Sequence, residues 1–113
     1  MRILYGIKNC DTVKKAMKWL DDHHLDYQFH DYRTDGLDSV LLEHFESALG
    51  YDKMLNRRST SWRQLTEEQK NGMDKKKAIQ LMVETPTLIK RPILDTGDKI
   101  ILGYSSEDYK NAL

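Results

Sequence analysis

The sequence predicts an α/β fold built on a mixed four-stranded sheet with flanking helices. Two observations carry this prediction. The first half alternates strand-like and helix-like segments, and the last quarter holds two apolar runs on either side of a tight turn. A right-handed crossover through a helix makes the first two strands parallel, whereas a short turn makes the last two antiparallel. A single sheet with both kinds of pairing accommodates all four strands.

The first half of the chain predicts strand, helix, strand and helix. Residues 2–7 (RILYGI) form the first strand, and Asp11 or Thr12 can cap a helix whose apolar residues recur at helical spacing. Residues 26–32 (DYQFHDY) alternate with period two and predict the second strand. A second helix begins at Asp38, and Gly50 is its predicted C-terminal stop.

The middle of the chain has no strand pattern and predicts a helical insertion. Thr66 and Gln69 form a plausible capping box, and Asp74 can cap a further helix that ends before Pro86. Residues 96–98 (TGD) then form the turn of a hairpin, and Ser105 opens a short final helix. We therefore predict one thioredoxin-like domain over residues 1–113, with a helical insertion at about residues 37–84.

Composition favours an ordinary water-soluble protein. The 113 residues carry 18 basic and 18 acidic side chains, so no net charge points to nucleic acid or to an anionic membrane surface. No apolar run approaches the roughly 20 residues that span a bilayer. A single cysteine excludes an internal disulfide and favours the cytoplasm. We expect a monomer without nucleic-acid or membrane partners, and no metal site, because the four histidines have no ligand spacing with Cys10.

Cys10 is the candidate reactive residue because it stands where a helix begins. A thiol reacts as its thiolate, and the unpaired N–H groups and partial positive charge of a helix N-terminus favour that anion. Lys8 could add positive charge. The alternative interpretation is an ordinary buried thiol. In a C-x-x-C redox motif the second cysteine would fall at Val13, so any redox chemistry must proceed through a mixed disulfide with an outside thiol.

Three blocks in order, LYGIKNCDTVKKA, NRRSTSWRQL and TPTLIKRPIL, resemble the arsenate-reductase-like (ArsC/Spx) family, and its YffB subgroup in particular. The likeness extends over almost the whole chain and includes FHDYRTDGLDS. It implies a thioredoxin-like fold with a helical insertion, which agrees with the pattern described above. It also implies a reactive cysteine at Cys10 and, beside it, an arginine followed by a cis proline, here Arg91 and Pro92.

The resemblance further implies arginines that hold an anion near the thiol. Arg91 matches one of them, and we choose Arg58 over Arg57 for the second. The third family arginine falls on Tyr104, and a neutral phenol cannot replace a guanidinium group. This difference argues against arsenate reduction.

Three functions follow from these residues and from the resemblance. The first is a glutathione-dependent thiol reductase that acts through Cys10, with no bound cofactor and with glutathione as co-substrate. In this hypothesis Lys8, Arg58 and Arg91 supply positive charge, and the backbone before Pro92 pairs with the extended peptide of glutathione. The second is a non-catalytic regulator of the Spx type that docks on a protein partner such as RNA polymerase. The third is a glutaredoxin-coupled arsenate reductase.

Overall fold

A computed structural model describes residues 2–113 of the chain. The elements, in chain order, are β1 (Arg2–Gly6), α1 (Asp11–Asp22), β2 (Tyr27–Asp31), α2 (Ser39–Leu49), α3 (Tyr51–Met54), α4 (Thr60–Arg63), α5 (Glu67–Lys70), α6 (Lys75–Glu84), a 3-10 helix (Pro86–Leu88), β3 (Ile93–Asp95), β4 (Ile100–Leu102) and α7 (Ser106–Ala112). They form two compact units. The sheet unit comprises residues 2–36 and 91–113, and the helical unit comprises Leu37–Lys90.

The sheet has the strand order β2-β1-β3-β4. Strand β1 pairs in parallel with β2, and Tyr5 lies opposite His30. On its other side β1 pairs antiparallel with β3, where Tyr5 lies opposite Ile93. The hairpin of β3 and β4 completes the sheet. The carboxyl ends of β1 and β2 and the amino end of β3 therefore meet at one edge, and this edge carries the candidate site.

Helices α1 and α7 contribute to the core of the sheet unit. One cluster of buried residues joins strands β1 and β3 to these two helices; its members are Leu4, Val13, Ala16, Leu20, Leu94 and Tyr109. The apolar face of α1 is the one that the helical spacing predicts, and its lysines lie on the exposed face. This is the thioredoxin-like mixed sheet that the sequence predicts.

Gly6 permits a close approach between the first strand and the first helix. A Cβ atom at this position would lie 2.8 Å from Cγ2 of Val13, well inside van der Waals contact. Val13 is completely buried. The start of α1 is therefore seated directly on the end of β1.

The helical unit has its own buried residues. They come mainly from α2, α6 and the segments next to them, and are Leu42, Phe45, Met54, Leu55, Ala78, Ile79, Leu81, Met82, Leu88 and Ile89. The predicted cap at Asp74 and the predicted capping box of Thr66 and Gln69 are confirmed, and Asp38, where the second helix was expected to begin, is its N-cap. Asp38 and Asp74 accept hydrogen bonds from the first turns of α2 and α6, and Thr66 and Gln69 form a reciprocal capping box. Gly50 ends α2 with φ of 83°.

Several predicted boundaries need correction. Strand β1 ends at Gly6 rather than at residue 7, and β2 covers Tyr27–Asp31 rather than residues 26–32. The N-cap of α1 is Cys10, not Asp11 or Thr12. The short helices α3 and α4 were not predicted, because four-residue helices are too short to show a periodic apolar pattern.

Within residues 2–113 no helix combines the length and the apolar character that crossing a membrane requires.

Candidate functional site around Cys10

Cys10 is the N-cap residue of α1, with extended backbone angles of −98° and 126°. Its N–H donates to the carbonyl of Ile7 at 3.2 Å, and its own carbonyl accepts from the N–H of Lys14 at 3.0 Å. The first bond closes a tight turn after β1, and the second begins the helix. The side chain is partly exposed, so an outside reactant can reach the sulfur.

Asp31 fixes the loop that carries Cys10. Its Oδ2 accepts from the backbone N–H of Lys8 at 3.3 Å, and its Oδ1 accepts from the N–H of Arg33 at 2.8 Å. Asp31 is only 8% exposed and ends strand β2. Sequence reasoning did not select this residue. Its one signal is an acidic side chain at the end of a predicted strand.

Arg91 reaches the same sulfur from the other side of the edge. It precedes β3, and its peptide bond to Pro92 is cis, as the resemblance implies. Its guanidinium group acts on the Cys10 thiol, whose pKa it lowers through hydrogen bonding and charge. The antiparallel register of β1 and β3 explains the meeting, because the start of β3 lies beside the end of β1. The structure thus brings two of the predicted site residues together.

The surroundings of Cys10 favour its thiolate. Partial burial raises the pKa of the thiol, but groups that stabilise the anion outweigh burial and leave the pKa below its ordinary value. These groups are the backbone N–H of Val13, the guanidinium hydrogen bond and charge of Arg91, and the backbone N–H of Thr12. The sulfur forms no well-aligned capping hydrogen bond, so the two N–H groups act on it mainly as a local positive field.

Two nitrogen atoms of Arg91 have no hydrogen-bond partner. Nε and Nη1 are both buried and unpaired among residues 2–113. A buried guanidinium donor without a partner is costly, and an anionic oxygen is a strong acceptor for such a donor. Arg91 can therefore hold the sulfur with one part of its guanidinium group and an anionic oxygen with the other.

Lys8 and Arg58 differ from Arg91 in what the structure shows of them. The Lys8 side chain is exposed, and the contact that the structure gives this residue is made by its backbone. Arg58 belongs to the helical unit, where its side chain is exposed and its backbone N–H donates to Oδ1 of Asn56 at 3.2 Å. Their roles in charge supply and anion binding stay predictions.

The choice of Arg58 over Arg57 has support within the helical unit. The Arg57 guanidinium group is already engaged there. It forms an ion pair with Asp52 at 2.6 Å and lies 5.3 Å from the ring centre of Trp62. Within the described part of the chain, no such partner occupies the side chain of Arg58, which leaves it the better candidate for binding an outside anion.

Tyr104 stands after β4 and packs edge-on against Tyr109, with ring centroids 5.0 Å apart. An aromatic packing role accounts for this residue without any anion. The histidines, cysteine and carboxylates of residues 2–113 form no group of three or more that could hold a metal ion.

Comparison with known proteins identifies the family of the chain. The model of the ArsC family matches residues 5–112, so the chain belongs to the ArsC family. An uncharacterized protein of Haemophilus influenzae is 50% identical over 99% of this chain and 98% of its own length. The solved structure of the YffB protein is 44% identical, with a TM-score of 0.96 over 100% of this chain and 99% of that one.

A regulator is also among the relatives. The global transcriptional regulator Spx of Lactiplantibacillus plantarum is 27% identical over 100% of this chain and 86% of its own length. The solved structure of an arsenate reductase (ArsC) related protein from Brucella melitensis is 41% identical, with a TM-score of 0.80 over 97% of this chain and 92% of that one. Since the relatives differ in this way, the chemistry at Cys10 has to be argued from this chain's own residues.

Proposed function

We propose that this protein is a glutathione-dependent thiol reductase that acts through the single cysteine Cys10. The observation that carries the proposal is the pairing of Cys10 with Arg91. The thiol is partly exposed, its pKa lies below the ordinary value, and the adjacent guanidinium group has two unpaired buried nitrogens. A nucleophile and an anion-binding group therefore stand side by side, as a reaction with an anionic thiol requires.

The reaction consists of two exchanges. The Cys10 thiolate attacks the glutathione sulfur of a mixed disulfide between glutathione and a substrate thiol. The original S–S bond breaks, the substrate leaves as a thiolate that takes up a proton from water, and a Cys10–glutathione disulfide forms. A second glutathione, as thiolate, then attacks the sulfur of the bound glutathione. This step releases oxidised glutathione and regenerates the Cys10 thiolate.

Arg91 has two tasks in this scheme. Its charge stabilises the Cys10 thiolate before attack and again when that thiolate leaves. One of its unpaired nitrogens donates to a carboxylate of glutathione, and glutathione carries two carboxylates. The backbone before Pro92 supplies an edge on which the extended peptide can lie. Lys8, in the same unit as Cys10, adds positive charge that attracts the same anionic ligand.

Mass spectrometry after exposure to oxidised glutathione tests the proposal. We expect one added glutathione per chain in the wild type and none in Cys10→Ser. Arg91→Ala should slow the addition, whereas the matched variant Arg33→Ala removes an exposed arginine from the same unit and should leave the rate unchanged. A folded wild type that stays unmodified while the unfolded chain reacts would show that Cys10 is a structural thiol.

The second candidate is a non-catalytic regulator, which the likeness to Spx over the entire chain supports. Such a protein acts by docking on a protein partner and does not need a reactive Cys10. Turnover distinguishes the two. The reductase releases substrate thiol from a peptide–glutathione disulfide in proportion to time, and Cys10→Ser abolishes this release. The regulator releases none, with or without the substitution.

A further inference from the structure

Among residues 2–113, four buried polar atoms without hydrogen-bond partners lie in three residues of the sheet unit, Tyr32, Arg91 and Tyr109. Besides Nε and Nη1 of Arg91, the hydroxyl of Tyr32 is buried and unpaired among residues 2–113. Tyr32 is only 3% exposed. Leaving a buried hydroxyl unpaired is energetically costly. The Tyr32 hydroxyl therefore has a hydrogen-bond donor that no described group of the protein uses.

Strand topology places Tyr32 at the edge of the sheet that carries Cys10 and Arg91. Tyr32 follows the last residue of β2, and its N–H donates to the carbonyl of Gly6 at 2.9 Å. Gly6 ends β1, which leads into the Cys10 loop, and the register of β1 with β3 brings Arg91 to the same edge. The three residues thus follow or precede neighbouring strands at one end of the sheet.

The phenol of Tyr32 lies within the electrostatic reach of the Arg91 guanidinium group. Burial raises the pKa of the Tyr32 phenol far above its ordinary value, the phenol of Tyr5 adds to this rise, and the charge of Arg91 opposes it. The ring of Tyr32 is also stacked with that of Tyr5 at a centroid distance of 6.4 Å. Tyr32 is therefore held in place by its ring, and its hydroxyl keeps its proton at any ordinary pH.

We propose that Tyr32 is a ligand-binding residue of the Cys10 site, whose hydroxyl donates a hydrogen bond to the anionic oxygen that Arg91 also binds. The inference rests on the proposed function for its setting and names the second donor of the site. The ligand group is a carboxylate or a tetrahedral oxyanion, since either accepts from a guanidinium group and a hydroxyl together. The Tyr32 hydroxyl is neutral. It can bind the anionic oxygen of the ligand without placing a second positive charge beside the Cys10 thiolate.

Tyr109 provides a matched control within the same unit. Its hydroxyl is likewise buried and unpaired among the described residues, and burial, with a smaller effect of Tyr104, raises its pKa. Tyr109 belongs to α7, and its ring packs edge-on against the rings of Trp19 in α1 and of Tyr104. Arg91 is not among the groups that act on it. Comparing Tyr109 with Tyr32 therefore separates the effect of a buried, unpaired hydroxyl in general from the effect of one on which Arg91 acts.

Protection of Cys10 from alkylation tests the proposal. Iodoacetamide would be applied in the presence of increasing S-methylglutathione, which keeps the carboxylates of glutathione but cannot form a disulfide, or of inorganic arsenate. These two probes separate a carboxylate ligand from a tetrahedral oxyanion. We expect at least one probe to protect the wild type. In Tyr32→Phe the concentration that protects should rise roughly tenfold or more, because one hydrogen bond to a charged group is lost. In Tyr109→Phe it should be unchanged.

Two results would overturn the inference: equal protection of the wild type and Tyr32→Phe, or an equal loss in both tyrosine variants. Absence of protection by either probe in the wild type would overturn it as well. A wild type that is protected in a Tyr32-dependent way but never accepts glutathione from oxidised glutathione would refute the proposed function alone.

A measurement on the wild type covers the case in which Tyr32→Phe does not fold. With tyrosine labelled at the ring carbon that bears the hydroxyl, we expect the protecting probe to shift the carbon resonance of Tyr32 and to leave that of Tyr109 in place. Resonances that both stay unmoved while Cys10 is protected would refute the role of Tyr32.

Discussion

The carboxylate of Asp31 accepts a hydrogen bond from the backbone N–H of Lys8, so the end of one strand holds the loop that leaves its neighbour. Because the same carboxylate also accepts from the N–H of Arg33, it ties together both chain segments that emerge from the edge of the sheet. Asp31 is therefore a positioning residue for Cys10, although it does not touch the sulfur.

Replacing Asp31 should loosen the Cys10 loop. Asp31→Ala leaves two backbone N–H groups without their acceptor, and we expect a loss of about 1–3 kcal/mol in the free energy of unfolding, together with slower alkylation of Cys10. Asp38→Ala is the control, since it removes an N-cap in the helical unit at a cost of about 1 kcal/mol. Denaturation curves and alkylation rates should separate the two. A loop effect is ruled out if both variants keep the wild-type alkylation rate.

The acidity of Cys10 should depend on Arg91. We expect the rate of alkylation by iodoacetamide to rise with pH through a midpoint below that of a free cysteine, because the pKa of Cys10 is lowered. Arg91→Ala should move the midpoint upward, and Arg91→Lys should restore part of the shift through its charge but not its forked geometry. Arg33→Ala should match the wild type. Identical midpoints in all four proteins would remove Arg91 from the site.

The same shift makes the stability of the protein depend on pH. The folded state releases the Cys10 proton at lower pH than the unfolded chain, so ionisation stabilises the folded state. This contribution is fully present above the pKa of the unfolded chain and is lost as pH falls through the folded pKa. The free energy of unfolding of the wild type minus that of Cys10→Ser should therefore increase with pH across that interval. A difference that stays constant in urea titrations over this range would contradict the lowered pKa.

The contact between Gly6 and Val13 predicts a coupled pair of substitutions. A methyl group at Gly6 would lie 2.8 Å from the Val13 side chain. We expect Gly6→Ala to destabilise the protein by about 1–3 kcal/mol, as overpacked cores do. Val13→Ala removes the clashing atoms, so the double variant should be less destabilised than the sum of the single variants, by about 0.5–3 kcal/mol. Strictly additive unfolding free energies would mean that strand and helix move apart without strain.

Arsenate should be a poor substrate of the wild type. The residue in the place of the third family arginine is Tyr104, which packs against Tyr109. Loss of one charge-assisted contact costs about 1.5–3 kcal/mol, or roughly 10- to 150-fold in affinity. We expect little arsenite from arsenate with glutathione and glutaredoxin present, and more from Tyr104→Arg. Tyr104→Phe keeps the ring without adding charge and should behave as the wild type. Rapid arsenite production by the wild type would show that two arginines suffice.

The sequence was a good guide to the elements and a weaker guide to their ends. The periodicity of α1, the expected helix start at Asp38 and the caps at Thr66 and Asp74 predict helices that the structure confirms. The predicted N-cap of α1 was wrong. Asp11 and Thr12 have the usual capping side chains, whereas the observed N-cap is the cysteine Cys10.

The candidate site was only partly accessible to sequence reasoning. Cys10 could be selected from its place before a helix, and Arg91 from the resemblance. Asp31 and Tyr32 could not, because their importance depends on which backbone groups and which guanidinium group the strand register brings beside them. A carboxylate and a phenol in a period-two strand give no sign of this in the sequence itself.

Val13 occupies the place of a second cysteine and is completely buried against the end of β1. Since the chain has one cysteine, no second thiol of the same chain can attack a disulfide formed on Cys10. Its removal is a bimolecular event, first order in whatever thiol arrives from solution. The lifetime of the modified protein then depends on the concentration of thiols in solution and not on the rate of an intramolecular reaction. Where free thiols are abundant, the mixed disulfide on Cys10 is reduced quickly. Where they are scarce, the mixed disulfide persists after the oxidant has gone.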